Sequence, residues 1–228
     1  MVDLTAEMVG LWTALGPAPV HGCRVIMFTS GAQGEGVSTI SREFARLAAA
    51  RAKRPVWLVD ADLNAQEQVE RISAEPHRFG RAGETVVGSP DGSSFYTILP
   101  SVRSGDGRAL RPAQFLSAKP FLGRRLFVTR FNAEPLQGAH KPVVLSQGDY
   151  WAALRKHSET IIIDAPSDVA QTLSPYVDAV VLVVREGADV ASHLVLKHQL
   201  EADGAPMKGV VLNRSTYQPP RMLSKLMG

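Results

Sequence analysis

A single cysteine, Cys23, stands in a chain of 228 residues, so no intrachain disulfide can form and a reducing compartment is the expectation. Long apolar runs are missing as well. The longest, residues 179–184, falls far short of the ~20 residues needed to cross a bilayer, which leaves no transmembrane segment. The start, Met1-Val2-Asp3, lacks the basic residues and apolar stretch of a secretory signal. These absences predict a cytoplasmic protein, peripheral to the inner membrane only through a partner. Strong net charge is absent too, at +3, although Arg103, Arg108, Arg111, Lys119, Arg124, Arg125 and Arg130 face the single acid Asp106 in their segment. That patch reads as solvated loop surface, and nucleic acid is not the expected partner. His21, His77, His140, His157, His193 and His198 form no metal-ligand spacing with Cys23 and are expected at the surface.

What is present suits one globular domain: 45% hydrophobic and 21% charged residues, in a length that buries a substantial core. Leu4, Met8, Leu11, Trp12 and Leu15 recur at helical spacing, so residues 1–20 hold a short amphipathic helix that covers the core. β-branched runs at 25–29, 56–60, 160–164, 177–184 and 209–213 alternate with helical patterns at 38–52, 148–157 and 188–202. Continuous apolar strands between helices indicate an α/β fold, a doubly wound and mostly parallel sheet covered on both faces. Right-handed crossovers then line up the loops after the strands along one edge. Residues 64–146 read as an irregular elaboration, with strands at 95–99 and 126–131, inside a single domain spanning 21–216. Residues 217–228 form a tail.

One further absence concerns chemistry. Residues 31–39 read Gly-Ala-Gln-Gly-Glu-Gly-Val-Ser-Thr after the strand at 25–29. Gly31, Gly36 and Ser38 fall in register with the phosphate-binding pattern G-x-x-x-x-G-K-[ST], but Val37 stands where its lysine belongs. The glycines let successive backbone N–H groups curl around phosphate, and the next helix adds its positive end. Ser38, with Thr39 beside it, is placed to ligate Mg²⁺. Trp57-Leu58-Val59-Asp60-Ala61-Asp62 ends an apolar strand in two carboxylates, which repel each other unless a cation compensates. Either acid can instead accept a proton from a hydroxyl, or Asp62 can cap a helix at 63–69. Ile161-Ile162-Ile163-Asp164-Ala165-Pro166 ends another strand in aspartate.

These segments, together with Asp178-Ala179-Val180-Val181 and Lys208-Gly209-Val210-Val211-Leu212-Asn213-Arg214, resemble the cytoplasmic P-loop domain of bacterial tyrosine kinases. That family lies within the MinD/ParA group of P-loop NTPases and regulates export of capsular and exopolysaccharides. The resemblance covers about residues 23–63 and 145–215. It implies ATP or ADP with Mg²⁺, held by Gly31, Gly34, Glu35, Gly36, Val37, Ser38 and Thr39, with Asn213 at the adenine. Ser38, Asp62 and Asp164 would surround the metal, and Asp60, Asp62 and Asp164 would be catalytic in an active protein, Asp60 as base or second metal ligand. The implied partners are a membrane polysaccharide co-polymerase or other exopolysaccharide machinery, and further copies of the chain.

The departures point one way. Val37 removes the lysine that neutralises the β- and γ-phosphates, and Ala32 stands where the MinD/ParA group carries a second one. Tyr217 is the only tyrosine near the end, where the kinases carry a cluster, and their N-terminal Glu-and-Arg assembly motif is not visible around Glu7. The expectation is a pseudo-kinase that regulates exopolysaccharide synthesis or export with weak or absent ATP turnover. One alternative is an active ATPase or tyrosine kinase in which Arg42, Arg54, Arg185 or a partner's cation replaces the lysine. Another is a MinD/ParA-type positioning ATPase, which the basic segment favours and Ala32 disfavours. A short-chain dehydrogenase needs Tyr-x-x-x-Lys, which none of the four tyrosines begins.

Overall fold

A computed structural model describes residues 4–16, 19, 21–136 and 140–214; the tail expected at 217–228, with Tyr217, lies outside them. In chain order the elements are α1 (Thr5–Leu15), β1 (Arg24–Thr29), α2 (Val37–Arg51), β2 (Val56–Asp60), α3 (Gln68–Ser73) and α4 (Pro76–Phe79). β3 (Val86–Val87), β4 (Tyr96–Leu99), β5 (Leu116–Phe121), β6 (Leu126–Phe131) and β7 (Lys141–Val144) follow. The chain continues with α5 (Asp149–His157), β8 (Thr160–Asp164), α6 (Ser167–Leu173), β9 (Ala179–Arg185), α7 (Ala191–Ala202) and β10 (Met207–Asn213).

Eight strands form one sheet in the order β10-β9-β1-β8-β2-β6-β5-β3. The first six run parallel, and β5 and β3 add on antiparallel. The continuous apolar strands reflect burial on both faces. On β1, Val25 and Met27 point into one core with Trp57, Tyr150 and Trp151, while Ile26 and Phe28 point into the other with Phe44 and Leu58. Parallel connections bring the ends of β1, β2, β8, β9 and β10 to one edge of the sheet, where the aspartates and the glycine-rich loop lie.

α1 covers the α2 side of this core. Met8 is buried, the Trp12 ring lies 5.8 Å from Phe44, and the Arg24 guanidinium sits 5.3 Å from the Trp12 ring. The same Arg24 side chain donates to the carbonyls of Leu15 and Gly16 at 3.2 and 2.7 Å, satisfying acceptors that the end of a helix leaves open. The helix is therefore a core cover.

The stretch at 64–146 is more regular than its sequence suggests. β6 joins the main sheet beside β2, and β5 returns against β6 despite Pro120. β4 and β7 pair separately, and Phe95, just before β4, places its ring 5.1 and 5.3 Å from those of Tyr150 and Trp151 on α5. The basic residues of this stretch are dispersed: Arg130 pairs with Glu70 at 2.6 Å, Arg108 with Asp106 at 3.4 Å, and Arg124 lies over the Phe127 ring. No helix among the described residues is long and apolar enough to cross a membrane.

Candidate functional site

Between β1 and α2 the chain turns through Gly34 and Gly36, at φ 78° and 96°, left-handed values that favour glycine. The Gly36 carbonyl accepts the Thr39 and Ile40 N–H groups and so starts α2. The N–H groups of Gly34, Gly36, Val37 and Ser38 meet no acceptor among the described residues, and they gather at the positive end of a 15-residue helix. Free, convergent donors at such a position suit an anion. A side chain at Gly34 would meet nothing within 4 Å.

Three contacts pin the loop from behind. Asn213 Nδ2, at the end of β10, donates to the Glu35 carbonyl at 2.7 Å. The Glu35 carboxylate is 3% exposed and accepts the Arg185 N–H, so this side chain anchors the loop instead of facing a ligand. Gly31 N–H donates to His193 Nδ1 at 3.1 Å. His193 is 3% exposed, which corrects the expectation of a surface histidine: the first turn of α7 packs directly onto the loop, where a Cβ on Gly31 would lie 2.5 Å from the Ser192 and His193 backbone. Val37, in the lysine position, is half-buried and packs with the α2 core.

β2 and β8 are neighbours, and their last residues, Asp60 and Asp164, are in register. Both carboxylates are buried. Burial pushes the Asp60 carboxyl well above its ordinary range, and the charge of Asp164 adds to the effect. Burial also raises Asp164, against hydrogen bonds from Gln68 and Ser38 and the charge of Arg42, which pull it down. Asp62 accepts the Asn64 and Ala65 N–H groups at 3.1 and 3.0 Å. The capping role is thus present, but it closes a turn, and the helix starts only at Gln68.

Gln68 is the residue that sequence reasoning missed. Its Nε2 donates to Asp164 Oδ2 at 2.6 Å and to the Ser38 carbonyl at 2.9 Å, and its backbone N–H donates to Asp60 Oδ2 at 3.4 Å. Its Oε1 accepts from Arg42 at 3.2 Å. No local periodicity announces a glutamine whose partners lie 26 and 96 positions away. Of the three arginines considered as substitute cations, only Arg42 lines the cavity at this edge. The Arg54 guanidinium is spent on the carbonyls of Gly22 and Ser158 at the start of the strands.

The cavity, about 1380 Å³, runs from the loop past Asp60 and Asp164 to a wall made by β7. Hard oxygens from Ser38, Asp62 and Asp164, which line this cavity, fit the chemistry of Mg²⁺. The described residues hold no group of three or more His, Cys, Asp or Glu side chains arranged around a metal. A divalent ion here would complete its shell from phosphate and water, as Mg²⁺ commonly does.

No family model matches the chain, and no curated protein matches its sequence. Solved structures do. The chimerical protein CapA2B2 superposes with TM-score 0.58 at 21% identity, over 95% of this chain and 87% of its own. The kinase domain of the Escherichia coli tyrosine kinase ETK gives 0.52 at 17% identity over 86% and 71%, and the BceF tyrosine kinase domain 0.53 at 18% over 92% and 74%. The fold is that of tyrosine kinase P-loop domains. At these identities the likeness concerns the fold, and it agrees with the resemblance carried by the three motifs.

Proposed function

We propose that this chain is a kinase-like P-loop protein that binds ATP or ADP weakly, turns it over slowly or not at all, and regulates exopolysaccharide synthesis or export through a membrane polysaccharide co-polymerase. The observation that supports the nucleotide reading is a glycine turn at the start of α2 whose N–H groups meet no acceptor among the described residues, while half-buried Val37 occupies the lysine position. The kinase-like motifs and the fold support the regulatory part.

In this reading the N–H groups of Gly34, Gly36, Val37 and Ser38 hold the phosphates, with Thr39 beside them. Asn213 and Glu35 hold the loop in shape. Ser38, Asp164 and Asp62 surround Mg²⁺, which when bound supplies the charge that phosphoryl transfer requires. Asp60, with its raised affinity for a proton, is the group that receives one from an acceptor hydroxyl.

Charge-assisted contacts to phosphate contribute roughly 1.5–3 kcal/mol each, so the missing lysine costs about tenfold to hundredfold in affinity. Calorimetric titration with Mg·ATP and Mg·ADP, comparing the natural chain with Val37→Lys, tests the reading. Weak or undetectable binding that the lysine tightens at least about tenfold is expected; equal absence of binding in both proteins would sink it. Arg42 supports a second, catalytic version, because it lines the cavity and its buried Nε has no partner. That version requires ATP hydrolysis by the natural chain that Arg42→Met abolishes.

A further inference from the structure

The Asp60–Asp164 pair poses a physical problem. Two buried carboxylates at the ends of adjacent strands repel each other unless a proton, a metal ion or another cation intervenes. Here that cation is supplied by the chain. Gln68, 1% exposed, reaches both acids, Asp164 through its side-chain amide and Asp60 through its backbone N–H. Its remaining oxygen accepts from Arg42, a guanidinium that is itself 7% exposed and whose positive charge acts on Asp164. Ser41 Oγ adds a contact to the amide at 3.3 Å. Among the described residues, no other residue joins both acids to a cation.

The turn before Gln68 is fastened just as closely. Gln66 Nε2 donates to the carbonyls of Asp60 and Asp62 at 3.0 and 3.2 Å, and its Oε1 accepts the Phe131 N–H at 2.6 Å. The start of α3 is therefore tied to the end of β2 and to β6. A cation that takes Asp164 Oδ2 as ligand competes with the 2.6 Å bond from the Gln68 amide, on a residue whose backbone N–H is held by Asp60.

We propose that Gln68 and Arg42 form a resident counter-charge that closes the Asp60–Asp164 pair in the absence of metal and suppresses divalent-cation binding at the site. The inference rests on the reading of this sheet edge as a cation-assisted nucleotide site, and names the element that regulates it. The state without metal is the ground state, and metal entry is coupled to displacement of the start of α3. Glu70, on α3, also pairs with Arg130 on β6 at 2.6 Å, a half-exposed contact across the same junction.

The test is titration of the nucleotide-free full chain with Mn²⁺ alone, following the free-ion signal by electron paramagnetic resonance. Gln68→Met removes the donor at similar volume, and Gln68→Glu replaces it with a carboxylate. The expected result is weak binding by the natural chain and at least about tenfold tighter binding by each folded variant, the scale of one hydrogen bond to a charged group. The gain must vanish in Gln68→Met/Asp164→Asn, which assigns it to this carboxylate. Unchanged or weaker affinity in the folded variants overturns the proposal. Hydrogen exchange of the natural chain at millimolar Mn²⁺ gives a readout independent of the variants: protection at residues 66–73 should fall, and Mn²⁺ bound without that change overturns it equally. Nucleotide is absent throughout, so failure here leaves the Val37→Lys titration untouched, and failure there leaves this result standing.

Discussion

At Asp60 the backbone supplies two N–H donors while the neighbouring strand supplies a second negative charge. Burial wins, and the carboxyl is raised above its unfolded value. The sign of its effect on stability follows. A raised carboxyl favours folding below its unfolded pKa, near 3.9, and that contribution is lost as pH rises through the folded value. Asp60→Asn, which removes the buried charge and keeps one of the two acceptors used by the Asp62 and Gln68 N–H groups, should therefore raise the melting temperature at pH 7, with the difference shrinking towards pH 4. Differential scanning calorimetry at the two pH values checks this; an equal difference at both would contradict it. At Cys23 burial pushes the thiol up to about 11, ahead of the opposing charge of Arg155. Alkylation by iodoacetamide at pH 8 should run about a hundredfold slower than for a free cysteine, because the thiolate is the nucleophile. Val37 and the three aspartates were legible as single letters in fixed patterns. Gln68 and His193 were not, since their roles arise from contacts with residues far away in the chain.

At the scale of elements, the loop glycines differ in what they tolerate. Gly34→Ala adds a side chain in open space and costs only the left-handed conformation, about 1 kcal/mol. Gly36→Ala adds that strain to a Cβ 2.1 Å from Asn213 Nδ2 and should cost clearly more. Removing the obstacle with Asn213→Ala should recover part of the difference, a positive coupling visible in a double-mutant cycle of urea denaturation. β1, β2 and β8 were readable because burial on both faces demands unbroken apolar runs. β5 was not. Its alternation of apolar and polar residues suits a half-buried strand, but it is short and Pro120 argues against one; it nevertheless pairs with β6 along its length, and the Pro120 carbonyl accepts the Gly83 N–H. Asp62 shows the limit of capping signals: the cap formed, but it closed a turn.

Across the whole molecule the sheet ends in two unlike edges. β3 is two residues long, a short edge that offers little for pairing, whereas β10 runs for seven with Val210 and Leu212 more than half exposed. Leu212→Lys should delay aggregation on heating, followed by light scattering, while shifting the melting temperature by no more than about 2 °C, the effect of less than 1 kcal/mol in a chain of this size. The parallel direction of the central strands follows from the pattern of runs and crossovers, but the sequence gives neither their order nor the extension of the sheet beyond β2 by β6, β5 and β3.

Where Gly31 meets the first turn of α7, the two backbones come into contact on the side a Cβ would occupy, and the His193 ring holds the Gly31 N–H. Such a joint has no padding. A side chain in that gap would absorb a small displacement by changing rotamer; two peptide planes at contact distance cannot. Gly31 therefore abuts a helix that carries Leu194 and Val195 about half exposed on its outer side. A shift of the loop at Gly31 would thus be felt, as a lever feels a load, on a surface that another molecule can touch.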